Sequence, residues 1–234
     1  MKTIGIIGGM GPSATYDLAN KIIANTQANC DQEHIHVCID CNTAIPDRTD
    51  AILNGRRDPL PELVKSALRL ENMGAQLLIM PCNTAHYFYD QIGSFLDVPM
   101  LHMPGETARV LKEKGLSCAG VLATDGTKAV GIYDEALKKQ WINAVYPSEE
   151  NQKQVMRIIY ERVKAGNLDL SGIPVQEILQ DLWDQGAQAV ILGCTELPIA
   201  FQQFQCNDWH LIDPTNVLAR AAISFAGGML VNKR

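Results

Sequence analysis

The sequence lacks an excess of basic residues, a long apolar run and a signal segment. Acidic residues outnumber basic ones 26 to 20, which gives a formal net charge of −6, whereas nucleic acids and anionic membranes bind to basic surfaces. No apolar stretch approaches the length of a membrane span. The opening MKTIGIIGGMG is too short for a signal sequence and has no cleavage site. These absences predict a soluble cytoplasmic protein that binds neither nucleic acid nor membrane.

Two common site signatures are also missing. The seven cysteines form an odd set without the spacing of a small disulfide framework, which favours a reducing compartment. Cys38 and Cys41 form a Cys-x-x-Cys pair without a second pair, so a zinc site is not expected. The glycine-rich GIIGGMGP (5–12) has neither the dinucleotide-binding pattern nor a P-loop lysine. We expect its glycines to let the backbone approach a small substrate.

Short β-rich runs alternate with segments of helical period. The predicted strands are KTIGIIGG (2–9), HIHVCIDC (34–41), AQLLIMP (75–81) and VPMLHM (98–103). The predicted helices are 13–27, 61–74 and 84–93. This alternation favours an α/β fold whose parallel strands are covered on both faces.

The chain also repeats itself, at offsets of 110 to 115 residues. The aligned pairs are GAQLLIMPCNT (74–84) with GAQAVILGCTE (186–196), KTIGIIGGMGP (2–12) with SCAGVLATDGT (117–127), and MLHMP (100–104) with HLIDP (210–214). Three matches in one order indicate a duplicated α/β unit. We predict two similar α/β domains with parallel sheets, related by pseudo-twofold duplication, with the active site in the cleft between them. The first would span 1–104, with 210–234 packing back on it, and the second 105–209.

The repeat places one cysteine in each half. Cys82 and Cys194 both follow a predicted buried strand, and ligands of open α/β sheets bind beyond the carboxyl ends of the strands. Each cysteine is also predicted to precede the first turn of a helix, whose positive end favours a thiolate. We therefore expect two reactive thiols that face each other across the cleft.

Three chemistries use paired thiols. A disulfide redox couple normally uses close neighbours, and a metal site needs more His or Cys ligands at short spacing. The nearest helpers here are only His86 and Glu196. In two-base proton transfer, a thiolate removes a proton from one face of a carbon and a thiol returns one to the other face. This third chemistry also explains the duplication, and we prefer it.

Four motifs carry a resemblance to known proteins: GGMGP (8–12), DRT (47–49), PCNTAH (81–86) and GCTELP (193–198). At these motifs, and over essentially its whole length, the chain resembles the aspartate/glutamate racemase superfamily, most closely the cofactor-independent aspartate racemases. The resemblance implies an isomerase with two α/β domains, no pyridoxal phosphate, no metal and a homodimeric state. It also implies that Cys82 and Cys194 are the two catalytic acid/bases.

Two details of the motifs bear on the substrate. Glutamate racemases carry Cys-Thr-His at the second cysteine, where this chain has Cys-Thr-Glu at 194–196, which weighs against glutamate. Some broad-specificity relatives replace the first cysteine with threonine. This chain keeps Cys82, which favours racemisation by two thiols.

An acidic amino-acid substrate needs cationic partners. By resemblance to aspartate racemases, Arg48 and Lys164 should hold the side-chain carboxylate, and a planar guanidinium suits bidentate carboxylate binding. Lys164 lies near the end of a predicted helical stretch, 149–166. Glu196 either polarises the neighbouring thiol or caps a helix. Further substrate-binding candidates from the same motifs are Asn83, Thr84, Ala85, Thr195, Asp47, Thr49 and Thr127.

The sequence thus predicts a racemase that interconverts L- and D-aspartate without a cofactor, with a small amino acid as its partner. One alternative is a broader-specificity racemase that acts on glutamate or other amino acids. Another is a different isomerase of the superfamily, such as a hydantoin racemase or a maleate isomerase, the latter needing a nucleophilic thiol. The alternative without catalysis is a regulatory protein that binds an amino acid and does not turn it over.

Overall fold

A computed structural model of the chain describes residues 1–201 and 210–231. The strands are β1 (Ile4–Gly8), β2 (Val37–Cys41), β3 (Leu77–Ile79), β4 (Cys118–Leu122), β5 (Asn143–Val145), β6 (Ala189–Leu192) and β7 (Leu211–Ile212). The α-helices are α1 (Pro12–Asn25), α2 (Arg48–Asn54), α3 (Leu60–Asn72), α4 (Tyr89–Gly93), α5 (Met103–Glu113), α6 (Asp125–Ala129), α7 (Ile132–Lys138), α8 (Glu149–Arg157), α9 (Val175–Asp184), α10 (Glu196–Phe201) and α11 (Pro214–Ala226). The 3-10 helices are Asp31–Glu33 and Thr84–Phe88, and Ile158–Val163 is a π-helix. None of these described helices is long and apolar enough to cross a membrane.

The strands form two parallel sheets. In the described residues the first sheet has the order β2-β1-β3 and the second has the order β5-β4-β6-β7. Strands β1, β3 and β6 are buried along their whole length, as expected for parallel strands with helices on both faces. The predicted α/β class with parallel sheets is confirmed.

The two sheets repeat one helix–strand contact. Gly5 lies in β1, the centre of the first sheet, and Gly120 lies in β4, which occupies the matching place in the second. A Cβ built on Gly5 would lie 3.1 Å from the Cβ of Leu70, and one built on Gly120 would lie 3.1 Å from the Cβ of Leu182. Both glycines therefore let a helix, α3 or α9, approach its central strand. The leucines are 112 residues apart, which agrees with the repeat seen in the sequence.

Two predicted elements differ from the observed ones. The segment 98–103 does not form a strand, but a single parallel bridge between Met100 and Leu78. It stops there because the next residue but one, His102, already caps α5 by accepting the N–H of Gly105. The predicted helix 84–93 begins with the tighter 3-10 turns of Thr84–Phe88 and becomes α-helical only in α4.

The segment after residue 209 contacts both halves. Strand β7 pairs with β6 in the second sheet, whereas α11 buries Leu218 and Ile223 in a core with Ile4 and Leu18 of the first half. The predicted return of this segment to the first half thus applies to its helix. The domain boundaries at 104 and 209 stay a prediction, and residues 202–209 and 232–234 lie outside the described part.

Candidate active site

One small pocket lies where the two sheets end against each other. Cys82, just after β3, and Cys194, just after β6, both line it, and its cavity volume is only about 10 Å³. The two cysteines are only 5% and 7% exposed. One water molecule already needs a cavity of about 10–15 Å³, so the side chains close the site around the two thiols.

The pocket gathers most of the residues singled out from the sequence. Those that line it are Asp47, Arg48, Thr49, Cys82, Asn83, Thr84, Lys164, Cys194, Thr195 and Glu196. Thr127 lies behind this lining, with its hydroxyl 2.8 Å from that of Thr84. Ala85 is fully buried in the apolar core of the first half. Sequence reasoning missed three further lining residues: Met10, Thr124 and Tyr160.

Cys194 sits beside a carboxylate. Its Sγ donates to Oε2 of Glu196 at 2.9 Å, and the Thr195 hydroxyl donates to the same oxygen at 3.4 Å. Burial, and next the Glu196 charge, raise the pKa of Cys194 well above its ordinary value, although the Lys164 ammonium opposes this. The helix start, which by itself favours a thiolate, is therefore outweighed at Cys194 by burial and by the carboxylate. The six-residue α10 offers too weak a positive end to outweigh a buried carboxylate.

Cys82 sits beside a guanidinium. Arg48, the first residue of α2, donates to the backbone oxygens of Pro46 at 2.9 Å and Met10 at 3.2 Å, and the Asp47 carboxylate caps that helix. Burial by itself would lower the pKa of Arg48, but neighbouring negative groups, with Cys82 first among them, raise it. Arg48 is thus a fixed cation that faces the first thiol.

Lys164 follows a widened helical turn. After α8 the helix continues as the π-helix Ile158–Val163, and the Lys164 N–H donates to the oxygen of Ile159 at 3.0 Å. Its Nζ lies 4.1 Å from the centre of the Tyr160 ring and 3.7 Å from Oδ2 of Asp47. Burial opposes its charge, but the acidic groups of the pocket, with the Glu196 carboxylate first among them, raise the pKa of Lys164 above its usual value. π-Helical turns often mark functional sites, and here one brings a cation to the pocket.

A cluster of hydroxyl groups joins the two halves next to the cysteines. The Thr84 hydroxyl lies 3.1 Å from that of Thr124 and 2.8 Å from that of Thr127. Thr49 approaches Thr124 from α2 at 3.4 Å. These groups satisfy each other's hydrogen bonds in a buried place and so fix the pocket wall.

Asn83 has a free donor. Its Oδ1 accepts a hydrogen bond from the hydroxyl of Tyr133 at 2.6 Å, while its Nδ2 is buried and has no hydrogen-bond partner among the residues that the structure describes. A buried donor without a partner is costly. In a pocket-lining residue, this amide is therefore placed to bind an acceptor on a ligand.

His86 has a fixed tautomer. The backbone N–H of Met103 donates to its Nε2 at 3.1 Å, and its Nδ1 lies 2.8 Å from the carbonyl oxygen of Cys82. Because a backbone N–H can only donate and a carbonyl can only accept, the proton is on Nδ1. His86 therefore anchors the Cys82 backbone and does not touch the thiol.

The pocket places its two thiols in unlike electrostatic surroundings. Cys82 lies by the Arg48 cation, whereas burial and the Glu196 carboxylate raise the pKa of Cys194. Among residues 1–201 and 210–231, no cluster of three or more His, Cys, Asp or Glu side chains could hold a metal ion.

Comparisons with known proteins match nearly the whole chain. The family model of Asp/Glu/hydantoin racemases matches residues 7–222. A broad specificity amino-acid racemase of Bacillus subtilis is 29% identical over 227 residues, which cover 94% of this chain and 96% of that protein. The structure of the aspartate racemase of Picrophilus torridus superposes with a TM-score of 0.81 at 31% identity, covering 98% of this chain and 96% of that one. An aspartate racemase homologue of Pyrococcus horikoshii superposes with a TM-score of 0.78 at 26% identity, covering 97% of this chain and 100% of that one.

Proposed function

We propose that this chain, which belongs to the Asp/Glu/hydantoin racemase family and is an amino-acid racemase, interconverts L- and D-aspartate by two-base proton transfer without a cofactor. The observation that carries the proposal is the unlike environment of the two thiols in one enclosed pocket, with Cys82 by Arg48 and Cys194 by Glu196. The likeness to the Picrophilus torridus aspartate racemase supports aspartate as the substrate.

The reaction moves one proton off Cα and another one on. The Cys82 thiolate removes the Cα proton from one face, and the electron pair of the broken C–H bond spreads into the α-carboxylate. The Sγ–H bond of Cys194 then breaks, and its proton adds to Cα on the opposite face. The cycle ends with a Cys82 thiol, a Cys194 thiolate and the other enantiomer, and the reverse reaction exchanges the two roles.

We assign substrate binding to the polar groups around the thiols. Arg48 and Lys164 would hold the side-chain carboxylate, because both are cations at one small pocket. The unpartnered Nδ2 of Asn83 would donate to the α-carboxylate, together with Thr84 and Thr195. Charge–charge attraction is strong in a site that excludes water, so these donors would also stabilise the negative charge that develops on the substrate.

A racemase with wider scope is the second candidate. The Bacillus subtilis relative, which matches over nearly the whole chain, is a broad specificity amino-acid racemase. Racemisation rates for aspartate, glutamate and a panel of neutral and basic amino acids distinguish the two. Comparable kcat/KM values across the panel would favour the broad enzyme over the aspartate racemase.

Proton exchange in deuterated water tests the proposal. With no added cofactor, L-aspartate and then D-aspartate should each lose the Cα proton signal, and chiral chromatography should detect the opposite enantiomer. Aspartate that binds tightly without exchange would instead indicate the regulatory amino-acid-binding protein.

Serine substitution tests the two thiols separately. Cys82→Ser and Cys194→Ser should each abolish racemisation, because a serine hydroxyl is far less acidic than a thiol. Cys38→Ser, at a buried cysteine of β2 outside the pocket, is the matched control and should keep its activity. Near-normal turnover in either active-site variant would contradict the two-base scheme.

The homodimer and the cytoplasmic location stay predictions from the sequence and the resemblance. Light scattering on the purified protein tests the first one. A particle of twice the 25.7 kDa chain mass is expected, and a particle of one chain mass would contradict it.

A further inference from the structure

Tyr160 separates the catalytic pocket from a larger neighbour. The catalytic pocket has a cavity volume of about 10 Å³, and a second pocket beside α8 has one of about 680 Å³. In the described part of the chain, Tyr160 is the residue that lines both. Its side chain is therefore the partition between a closed site and an open one.

The partition is held from both of its sides. The Tyr160 hydroxyl donates to Oδ2 of Asp47 at 3.5 Å, across from the π-helix to the cap of α2. Its ring face lies under the Lys164 ammonium at 4.1 Å, a cation–π contact of about 0.5–2 kcal/mol. Burial is the main cause that raises the pKa of Tyr160, so the phenol stays a neutral donor at physiological pH.

The second pocket is lined by charged side chains of both signs. The charged side chains around it are Lys128, Lys153, Arg157, Asp125, Glu149 and Glu161. Three are cations and three are anions, so the pocket selects no one sign. A long polar side chain that entered from the catalytic pocket would find partners whether it was neutral or charged.

We propose that Tyr160 determines the substrate range by closing the catalytic pocket to amino acids with side chains longer than that of aspartate. Without its ring the two pockets join, and long polar amino acids such as glutamine and arginine reach the thiols. This inference rests on the proposed racemase function. Hydrophobic and steric discrimination by one pocket wall typically changes rates by about 10–200-fold.

The first test compares racemisation by Tyr160→Ala and Tyr160→Phe. Relative to aspartate, kcat/KM for glutamine or arginine should rise by about tenfold or more in Tyr160→Ala. Tyr160→Phe keeps the ring and loses only the hydroxyl contact to Asp47, so its ratio should change far less than that of Tyr160→Ala. Lys153→Ala, which changes the second pocket away from the wall, is a second control and should also keep it. An unchanged ratio in Tyr160→Ala, in an enzyme that still racemises aspartate, overturns the proposal.

The second test measures how accessible the two pocket thiols are, and it does not depend on racemisation. A bulky aryl maleimide should label Cys82 and Cys194 slowly in the wild type, because both thiols are buried, while the exposed Cys30 serves as the internal reference. In Tyr160→Ala the labelling of the two buried thiols, relative to Cys30, should rise by about an order of magnitude, since access limits their reaction. Tyr160→Leu, which keeps an apolar filler, replaces the alanine variant if the latter fails to fold by circular dichroism.

The two tests separate the two claims. Suppose that the wild type racemises no amino acid but the two thiols of Tyr160→Ala are labelled faster than those of the wild type. This result would contradict the proposed function and would support the role of Tyr160 as the wall. Unchanged labelling in a folded Tyr160→Ala or Tyr160→Leu variant would contradict the proposal that Tyr160 is the wall, whatever the activity of the wild type.

Discussion

The two cysteines are the same residue type, yet their neighbours place them in different electrostatic environments. Cys194 is held as a thiol by burial and by the Glu196 carboxylate, and Cys82 faces the Arg48 cation. Each turnover would reverse this arrangement, leaving the charge on Cys194 beside Glu196. The protons must then be redistributed before the same enantiomer can react again, and the pair titrates as one coupled system.

Replacing Glu196 should move the pH profile. Glu196→Gln removes one of the two main causes that raise the pKa of Cys194, while burial remains. The Cys194 thiol should therefore lose its proton at lower pH, and the alkaline limb of kcat/KM should shift to lower pH for the enantiomer that uses Cys194 as the acid. Glu150→Gln, at a carboxylate that is 75% exposed, is the matched control. An alkaline limb that does not move in Glu196→Gln would show that the carboxylate does not control the thiol.

At the scale of elements, the short 3-10 helix after Cys82 depends on one buried imidazole. His86 ties the Cys82 carbonyl to the first turn of α5 through its two ring nitrogens. Burial, and next the nearby His102, lower the pKa of His86 to about 3. An imidazole that bonds both groups has no proton to gain without breaking the contact to Met103, so the neutral form is part of the fold.

Stability should therefore depend on pH through His86. The unfolded chain binds a proton at this residue near pH 6.5, whereas the folded one does so only near pH 3. The His86 contribution is complete above about pH 6.5 and is lost as the pH falls towards 3. Between pH 6.5 and 4.5 the free energy of unfolding should drop by about 2–3 kcal/mol more in the wild type than in His86→Gln, which does not titrate. Urea unfolding at the two pH values measures this, and equal drops in both proteins would contradict it.

Some of these features can be predicted from the sequence and others cannot, for physical reasons. Alternating apolar runs and the repeat around Cys82 and Cys194 were enough for the α/β class and for the place of the thiols, since both depend on local period and order. The π-helical turn before Lys164 has no such signature, because it differs from an α-helix by one backbone step. Tyr160 and Thr124 were missed because they come to the pocket through that turn and through the packing of the halves.

The sequence left the resting protonation of the two cysteines open for a related reason. A helix start can be read from the sequence, and it favours a thiolate. Burial and the orientation of the Glu196 carboxylate towards Sγ depend on how the chain packs, and these two effects are the larger ones here.

At the scale of the whole molecule, the two halves pack closely at the seam where α2 meets α6. A Cβ built on Gly126 would lie 3.0 Å from the Cα of Thr49, so the two helices leave no room for a methyl group. Gly126→Ala should cost about 1–3 kcal/mol in unfolding free energy through overpacking. Because α2 carries Arg48, kcat/KM for aspartate should also fall by about tenfold to a hundredfold.

Gly93→Ala is the matched control for this substitution. A Cβ built on Gly93, in α4, meets nothing within 4 Å, and an alanine in a helix stabilises by about 0.4–1 kcal/mol. The free energy of unfolding in urea and the kcat/KM for aspartate, measured on both variants, test this prediction. Normal activity and stability in Gly126→Ala would show that the seam is not rigid.

Helix α11 has a consequence for the order in which the protein is made. Its buried leucine and isoleucine complete the core of Ile4 and Leu18, but a ribosome produces residues 214–226 only after both sheets. During synthesis, the apolar face of α1 that packs on α11 therefore stays exposed while the second half is being translated. Chains whose translation stalls in that interval expose an apolar surface that is prone to aggregation. We expect them to be bound by a chaperone or degraded, although every residue of the catalytic pocket has already been translated.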